Sequence, residues 1–222
     1  MVKQFAIVLL LALPAFAQVA ADANRGYRTP ESRASIATRL ADPHRDARDR
    51  LPELVNELKI AAGMSVADVG TGVGYLLPYL SRAVGAKGKV LAEDIFPDYL
   101  AAAKERAAKE GLANLEYILG TEKDAKLPAG CCDLILVLDA YHHFDYPAEM
   151  LAGFRKALKK GGRLAIVEIY KRPGAMPGNN AVEHVRIDEA DLIKEVEANG
   201  FRSLSSKEFL PGRQYLAVFT PN

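Results

Sequence analysis

The sequence predicts an α/β domain with a mostly parallel sheet, and three observations lead to this class. Short apolar runs of strand length alternate with longer segments of helical spacing, as in parallel strands joined by helices. A glycine turn at 70–74 directly follows the first complete run of this kind. Near the C-terminus, segments 201–209 and 214–220 flank a short turn and predict an antiparallel hairpin. The 222 residues suffice for one such domain and a short extension.

The composition narrows the possible partners. Apolar residues make up 50% of the chain, which is enough for a sizeable core. The 29 Lys and Arg residues nearly balance the 28 Asp and Glu residues, so we expect no nucleic-acid partner. No stretch of the sequence has the length and apolar character of an ordinary membrane span.

Residues 1–17 have the pattern of a cleavable secretory signal peptide. Lys3 supplies a positive start, 5–13 form a short apolar core, and Ala15 and Ala17 make a small-residue cleavage site. A buried helix or a membrane anchor is the alternative, but the apolar core is too short for an anchor. We therefore expect a periplasmic or secreted protein without stable membrane insertion after cleavage.

Residues 18–44 are predicted to be a linker and N-terminal extension, of which 18–30 form a mobile linker. The folded domain is expected over 45–222, and Pro52 is expected to divide its first region into two helices. A solvated helical face is one interpretation of this region, and a lid over a substrate site is the other.

The glycine turn organises the domain. Segment 65–69 predicts a buried inner strand, and a helix is expected over 75–84. Between them, Gly70, Gly72 and Gly74 tolerate positive φ and leave no Cβ between the backbone and a ligand. The pattern predicts a turn at which a ligand lies against bare backbone, although a tight turn without any ligand has the same composition.

Two acids flank this turn. Asp68 lies two positions before the first glycine, where it would repel a pyrophosphate but could hold a cationic amino acid. Asp94 ends the second predicted strand, 90–94, about 20 residues after the turn. In nucleoside-binding sites, an acid at this place can accept hydrogen bonds from both hydroxyls of the ribose. Its neighbour Glu93 is expected on the other face of the strand. A helix N-cap is the alternative role for Asp94.

The remaining elements follow from apolar spacing and from proline and glycine boundaries. The predicted helices are 97–110, 147–160 and one that Asp188 caps, and the further predicted strands are 115–119, 133–138 and 164–169.

The acid and the glycines of the turn resemble motif I of class I S-adenosylmethionine (SAM)-dependent methyltransferases, and 119–168 resembles later motifs of small-molecule members. The resemblance covers about 45–220, so 45–222 is expected to be a methyltransferase domain of an exported bacterial member. It implies a Rossmann-like, doubly wound, mostly parallel seven-stranded sheet with an antiparallel C-terminal strand, plus N-terminal helices. It also implies S-adenosyl-L-methionine as cofactor and in-line methyl transfer to a small-molecule acceptor.

By this resemblance, the acid before the turn lies near the methionine part of the cofactor, and residues after the third strand contact the adenine. Many members have an acid directly after the glycine at that place, whereas this chain has Thr121 and then Glu122. The predicted cofactor-binding residues are Asp68, Gly70, Thr71, Gly72, Gly74, Tyr75, Asp94, Ile95, Thr121 and Glu122.

The acceptor is expected at the loop after the fourth strand, because ligands of open α/β sheets lie beyond the carboxyl ends of the strands. A neutral histidine there can take a proton from the acceptor near neutral pH. Alternatively, one histidine packs under the loop and the other caps the next helix. The resemblance also places His184 and Arg186 near the mouth of the site. The predicted catalytic residues are Asp139, Tyr141, His142 and His143.

No metal site is predicted. Cys131 and Cys132 are adjacent at the start of a predicted strand, so their side chains point to opposite faces and we expect no disulfide bond between them. Two neighbouring cysteines also supply too few ligands for a metal site. A magnesium-dependent enzyme would need further carboxylates beside Asp139, and only Asp145 and Glu168 are available.

Two other functions stay open at this point. One is an NAD-dependent oxidoreductase, because such enzymes also have an acid at the end of the second strand. Against it, the glycine spacing differs from the dinucleotide fingerprint, and the chain has no clear pair of catalytic residues of the dehydrogenase type. An exported protein that binds SAM without catalysis is the second alternative.

Overall fold

The computed structural model describes residues 18–176, 178 and 180–222, so the predicted signal peptide at 1–17 lies outside the described residues. The helices are α1 (Pro30–Leu40), α2 (Arg45–Asp49), α3 (Leu51–Glu57), α4 (Leu77–Val84), α5 (Pro97–Lys109), α6 (Pro147–Ala157), α7 (Ala181–His184) and α8 (Glu189–Ala198). The strands are β1 (Ser65–Val69), β2 (Lys89–Asp94), β3 (Leu115–Leu119), β4 (Cys132–Leu138), β5 (Leu158–Ile169), β6 (Phe201–Leu210) and β7 (Gln214–Pro221). Short 3-10 helices cover Ala23–Tyr27 and Tyr141–His143.

The strands of the described chain form one 7-stranded sheet in the order β3-β2-β1-β4-β5-β7-β6. Strands β1 to β5 run parallel to one another, whereas β7 pairs antiparallel with both β5 and β6. The strand order reverses between β1 and β4, and such a switch point opens a crevice at the carboxyl ends of the strands. The predicted doubly wound architecture with an antiparallel C-terminal strand is confirmed.

A hydrophobic layer covers each face of the sheet. In β1, Val66 packs on one side with α3, α4 and α5, whereas Ala67 and Val69 pack on the other with α6 and α8. Because the inner strands are buried on both faces, their sequences are almost continuously apolar. Asp68 interrupts this apolar run in β1, and packing alone does not explain it.

One predicted boundary is wrong. The helix expected over 147–160 ends at Ala157, and β5 begins at Leu158, earlier than predicted. Leu158 is buried and pairs with Cys132 of β4. The chain then bulges through Gly161, which has a φ of 78°. The pairing of β4 with β5 therefore overrides the helical spacing of this segment.

The N-terminal extension packs onto the domain, contrary to the mobile linker expected at 18–30. Ala20 and Ala23 are buried, and the Ala20 amide donates a 3.0 Å hydrogen bond to Asp145 Oδ1. Hydrophobic spacing gives no indication of α1, because none of its residues is buried. As predicted, the next region is divided into two helices, here at Arg50, whose φ is 49°. No helix within the described ranges is long and apolar enough to cross a membrane.

Candidate active site

The glycine turn joins β1 to α4 at the switch point of the sheet. Gly70 and Gly72 have φ values of 74° and 56°, in the left-handed region that favours glycine. The amides of Gly70 and Thr71 donate to the Glu93 carbonyl oxygen of β2 at 3.0 and 2.8 Å. A Cβ on Gly70 would lie 2.7 Å from the Cβ of Ala140, which follows β4. Glycine is needed here because the ends of three strands meet.

Asp68 is buried beneath this turn, with a relative exposure of 3%. Thr71 Oγ1 donates a 2.7 Å hydrogen bond to Asp68 Oδ2. Burial raises the pKa of Asp68 to about 6; the charge of Asp94 also raises it, whereas the Thr71 hydrogen bond lowers it. A buried carboxylate is costly to ionise, so this position favours a ligand that brings positive charge.

Asp94 lies on the other side of the turn. Its Oδ2 accepts a hydrogen bond from the Gly72 amide and its Oδ1 accepts one from the Phe96 amide, both at 2.9 Å. Burial raises the pKa of Asp94 to about 6, while these two backbone hydrogen bonds lower it. Each carboxylate oxygen keeps a further lone pair, which can accept from a ligand hydroxyl.

Both acids and the turn open into one cavity of about 400 Å³. This volume lies within the range of small-molecule sites in proteins. Of the predicted cofactor-binding residues, all except Gly74 line the cavity, and Glu93 also contributes to its wall. A Cβ on Gly74 would lie 2.8 Å from the Cβ of Ala103, so Gly74 allows α5 to approach the turn.

Of the predicted catalytic residues, Asp139 and His143 line the same cavity. Asp139 has a φ of 50°, which is uncommon for a residue other than glycine. Gln214 Nε2 donates to both carboxylate oxygens of Asp139, at 2.7 and 2.8 Å. Burial raises the pKa of Asp139 to about 7, and the charge of Glu168 adds to the increase. A carboxyl group with this pKa can exchange protons near neutral pH.

Tyr141 and His142 are not part of the cavity wall. Tyr141 is completely buried, and its hydroxyl donates a 2.6 Å hydrogen bond to Glu195 Oε1. The Nδ1 atom of His142, also buried, lies 2.8 Å from Glu168 Oε1. Burial lowers the pKa of His142 to about 3 and holds the pKa of His143 well below its usual range. Both imidazoles are therefore neutral near neutral pH.

The N-terminal extension forms one side of the cavity. Tyr27 stacks on Phe96 with ring centres 5.8 Å apart and meets His143 edge-on with ring centres 4.9 Å apart. Arg33 of α1 lies over the Phe96 ring at 4.9 Å and pairs with Asp98 at 2.8 Å. No motif or periodicity in the sequence indicates Tyr27 or Arg33. The only related prediction is the interpretation of the N-terminal helical region as a lid.

Known proteins resemble this chain in both sequence and fold. A family model described as a methyltransferase domain matches residues 67–166. The crystal structure of a SAM-dependent methyltransferase from Aquifex aeolicus is 30% identical in sequence and superposes with a TM-score of 0.78. This alignment covers 83% of the present chain and 96% of that chain.

Curated relatives match the chain over part of its length. A ubiquinone/menaquinone biosynthesis C-methyltransferase from Marinomonas sp. is 27% identical over 118 residues, which are 53% of this chain and 47% of the relative. A ubiquinone biosynthesis O-methyltransferase from Nitrosococcus oceani is 33% identical over 126 residues, which are 57% and 52% of the two chains. The matched part thus spans about half the length of these relatives.

Proposed function

Because this chain belongs to the family of SAM-dependent methyltransferases, as its sequence predicts, we propose that it binds SAM at the glycine turn and methylates a small-molecule acceptor. One observation carries the proposal: Asp68 and Asp94 open into one cavity across the bare backbone of Gly70 and Gly72. Packing offers no reason to bury two carboxylates at this place. Binding of a ligand that carries a cationic group and hydroxyl groups would explain why both carboxylates are buried here.

The residues of the cavity fit the parts of this cofactor. Asp68 would hold the ammonium group of the methionine part, and Asp94 would accept hydrogen bonds from the ribose hydroxyls. Thr121 and Glu122, which line the cavity, would contact the adenine. When bound, SAM supplies a methyl group that its sulfonium makes electrophilic. The chain must therefore align the acceptor with this methyl group and exclude water.

We assign proton removal to Asp139. Its pKa of about 7 suits a general base near neutral pH. Gln214 orients the group by donating to both of its oxygens. An acceptor hydroxyl or ammonium group would lose its proton to this carboxylate as the methyl group is transferred. Tyr27 and Phe96 line the cavity with a pair of stacked rings, which would limit the access of water to a bound cofactor.

A small aromatic acceptor is the first class to test. The cavity wall carries the rings of Tyr27, Phe96 and Phe144, which suit an aromatic ligand. The two curated relatives are named for steps of quinone biosynthesis, which is consistent with this class.

Two measurements test the proposal. In calorimetric titrations we expect binding of SAM and of S-adenosylhomocysteine but not of NADH; preferential binding of NADH would favour the oxidoreductase alternative. Incubation with isotopically labelled SAM and a bacterial extract, followed by mass spectrometry, is expected to give a labelled small molecule. SAM binding without any labelled product would favour the non-catalytic SAM-binding alternative.

We also propose that the chain is exported and loses residues 1–17. The support is the sequence pattern of Lys3, the apolar core at 5–13 and the small residues Ala15 and Ala17. Fractionation of cells that express the full chain, with N-terminal sequencing, tests this. We expect a periplasmic or secreted product that begins at Gln18, and a cytoplasmic product that retains the first 17 residues would contradict export.

A further inference from the structure

Three of the 4 histidines of the chain meet beside the cavity. His142 and His143 lie in the 3-10 turn after β4, and His184 ends α7. One ring nitrogen of each lies within 4.8 Å of the others, and the Nε2 atoms of His142 and His184 are 3.2 Å apart. Nitrogens bound to one tetrahedral ion are about 3.3 Å apart, given metal–nitrogen bonds of about 2.0 Å. The pair of His142 and His184 has this spacing, and the His143 nitrogen lies within 4.8 Å of both.

Hydrogen bonds behind two of the rings determine their tautomers. Asn24 donates through Nδ2 to Asp145 Oδ2 at 3.1 Å, so its Oδ1 is the atom that accepts from His143 Nδ1 at 2.8 Å. Glu168 Oε1 accepts from His142 Nδ1 at 2.8 Å. Both histidines thus carry their proton on Nδ1 and keep a lone pair on Nε2. A lone pair of this kind is what a metal ion requires.

We propose that His142, His143 and His184 bind one divalent transition-metal ion, with Zn²⁺ as the representative case. Neutral imidazoles suit zinc, copper, iron and nickel rather than magnesium or calcium. Three histidines with a fourth position open are typical of catalytic zinc sites. Glu168 behind His142 is the kind of carboxylate that orients metal-binding histidines. Sequence spacing does not indicate the site, because His184 is 42 residues from His142.

The charges around the cluster also suit a cation. Glu168 is completely buried, and its Oε1 lies 2.8 Å from His142 Nδ1. A positive ion bound by the three histidines would therefore lie close to a buried carboxylate and compensate its charge. The adjacent Arg186 is paired with Glu195 at 2.6 Å, which compensates much of its positive charge. His184 is only partly buried, so one of the three imidazoles is in contact with solvent.

The site would also serve the acceptor. His143 lines the cofactor cavity, so an ion held by it lies at the edge of that cavity. A coordinated hydroxyl group of the acceptor would lose its proton more easily, since a bound cation lowers the pKa of its ligands. This role rests on the proposed methyltransferase function, whereas metal binding by the three histidines does not.

A cobalt titration tests the metal site without SAM. Protein without a histidine tag is treated with a chelator, titrated with Co²⁺ and followed by visible absorption and metal analysis after gel filtration. We expect one bound ion per chain, with the intense bands of four-coordinate Co²⁺, which Zn²⁺ then abolishes. Folded wild-type protein that retains no ion and shows no such bands would overturn the proposal, and the histidines would then be only a hydrogen-bonded group.

Variants locate the ion. We expect His184→Ala to weaken Co²⁺ binding by at least about tenfold and Glu168→Gln to weaken it by about 10- to 100-fold. His44→Ala, which changes the remaining and exposed histidine, is the matched control and is expected to leave binding unchanged. Equal affinity in His184→Ala and wild type would refute the assignment. SAM titration of the same wild-type sample separates the two proposals. Protein that binds SAM but no Co²⁺ would contradict only the metal site, and protein that binds Co²⁺ but no SAM would contradict only the proposed function.

Discussion

The Gly72 amide donates a 2.9 Å hydrogen bond to Asp94 Oδ2, which joins the glycine turn after β1 to the end of β2. The carboxylate is therefore oriented by backbone groups before a ligand arrives. A binding group that is already oriented loses little conformational freedom on binding, so more of its interaction energy appears as affinity. The same bond explains why the turn and the strand-end acid act as one site although they are separate in the sequence.

Asp68→Asn is expected to stabilise the free protein and to weaken SAM binding. Burial raises the pKa of Asp68 from 3.8 to about 6. Near neutral pH, a shift of this size corresponds to on the order of 3 kcal/mol in the free energy of unfolding. The amide can still accept the Thr71 hydrogen bond but carries no charge for an ammonium group.

Chemical denaturation and calorimetric SAM titration measure these two effects. Glu105→Gln, at an exposed position of α5, is the control and is expected to change neither quantity by much. Unchanged SAM affinity in Asp68→Asn would contradict the assignment of Asp68 to the cofactor.

The affinity for SAM is expected to fall as the pH drops through about 6, because Asp68 and Asp94 have a pKa of about 6 and lose their charges there. Their effect on stability has the opposite sign. Between pH 3.8 and about 6, the folded protein keeps protons on Asp68 and Asp94 that the unfolded chain has released. The contribution of these two acids to the free energy of unfolding therefore decreases as the pH rises through this range. Titrations between about pH 5 and pH 8 measure the affinity. An affinity that does not vary over this range would count against both acids.

Gly70→Ala is expected to reduce both stability and SAM affinity, whereas Gly212→Ala reduces stability alone. The two glycines have similar positive φ values, 74° and 71°, so alanine costs about 1–2 kcal/mol at either position. Only at Gly70 does the new Cβ clash, at 2.7 Å from Ala140, since nothing lies within 4 Å at Gly212. Thermal denaturation and SAM titration of both variants separate backbone strain from the ligand contact. Equal SAM affinities would show that no ligand lies against Gly70.

Tyr27→Ala is expected to weaken SAM binding by about 2- to 10-fold, whereas Tyr27→Phe retains most of the affinity. Tyr27 and Phe96 both line the cavity, and their stacked rings have centres 5.8 Å apart, so alanine would remove one ring of the wall that faces the cofactor. Aromatic contacts of this kind contribute about 0.5–1.5 kcal/mol. Because the ring rather than the hydroxyl makes this contact, phenylalanine is the matched control. Calorimetry measures the affinities. Wild-type affinity in Tyr27→Ala would mean that the N-terminal extension does not cover the bound cofactor.

Gln214→Met is expected to lower kcat and to move the acidic limb of the pH–rate profile to higher pH. Gln214 donates to both oxygens of Asp139 and thereby lowers a pKa that burial raises to about 7. Methionine fills similar space without a donor, so the carboxyl group holds its proton to higher pH. The pH dependence of kcat with an identified acceptor measures this. An unmoved acidic limb would exclude Asp139 as the base.

Local patterns account for the parts of the site near the glycine turn. The strand, the turn and the helix follow one another within 65–84, and Asp94 ends the adjacent strand. The apolar runs of parallel strands and the φ requirements of glycine are short-range properties, so the sequence shows them directly. The pairing that extends β5 back to Leu158 is not short-range, and there the helical spacing led to a wrong boundary.

The sequence by itself determined the fold class, the family, and the two acids on either side of a bare turn. Only the tertiary structure decided what faces them. It brings Asn24 to His143 across 119 residues, Gln214 to Asp139 across 75, and His184 to His142 across 42. The physical reason is that periodicity records which face of an element is buried, whereas the partner on that face is chosen by the packing of distant elements.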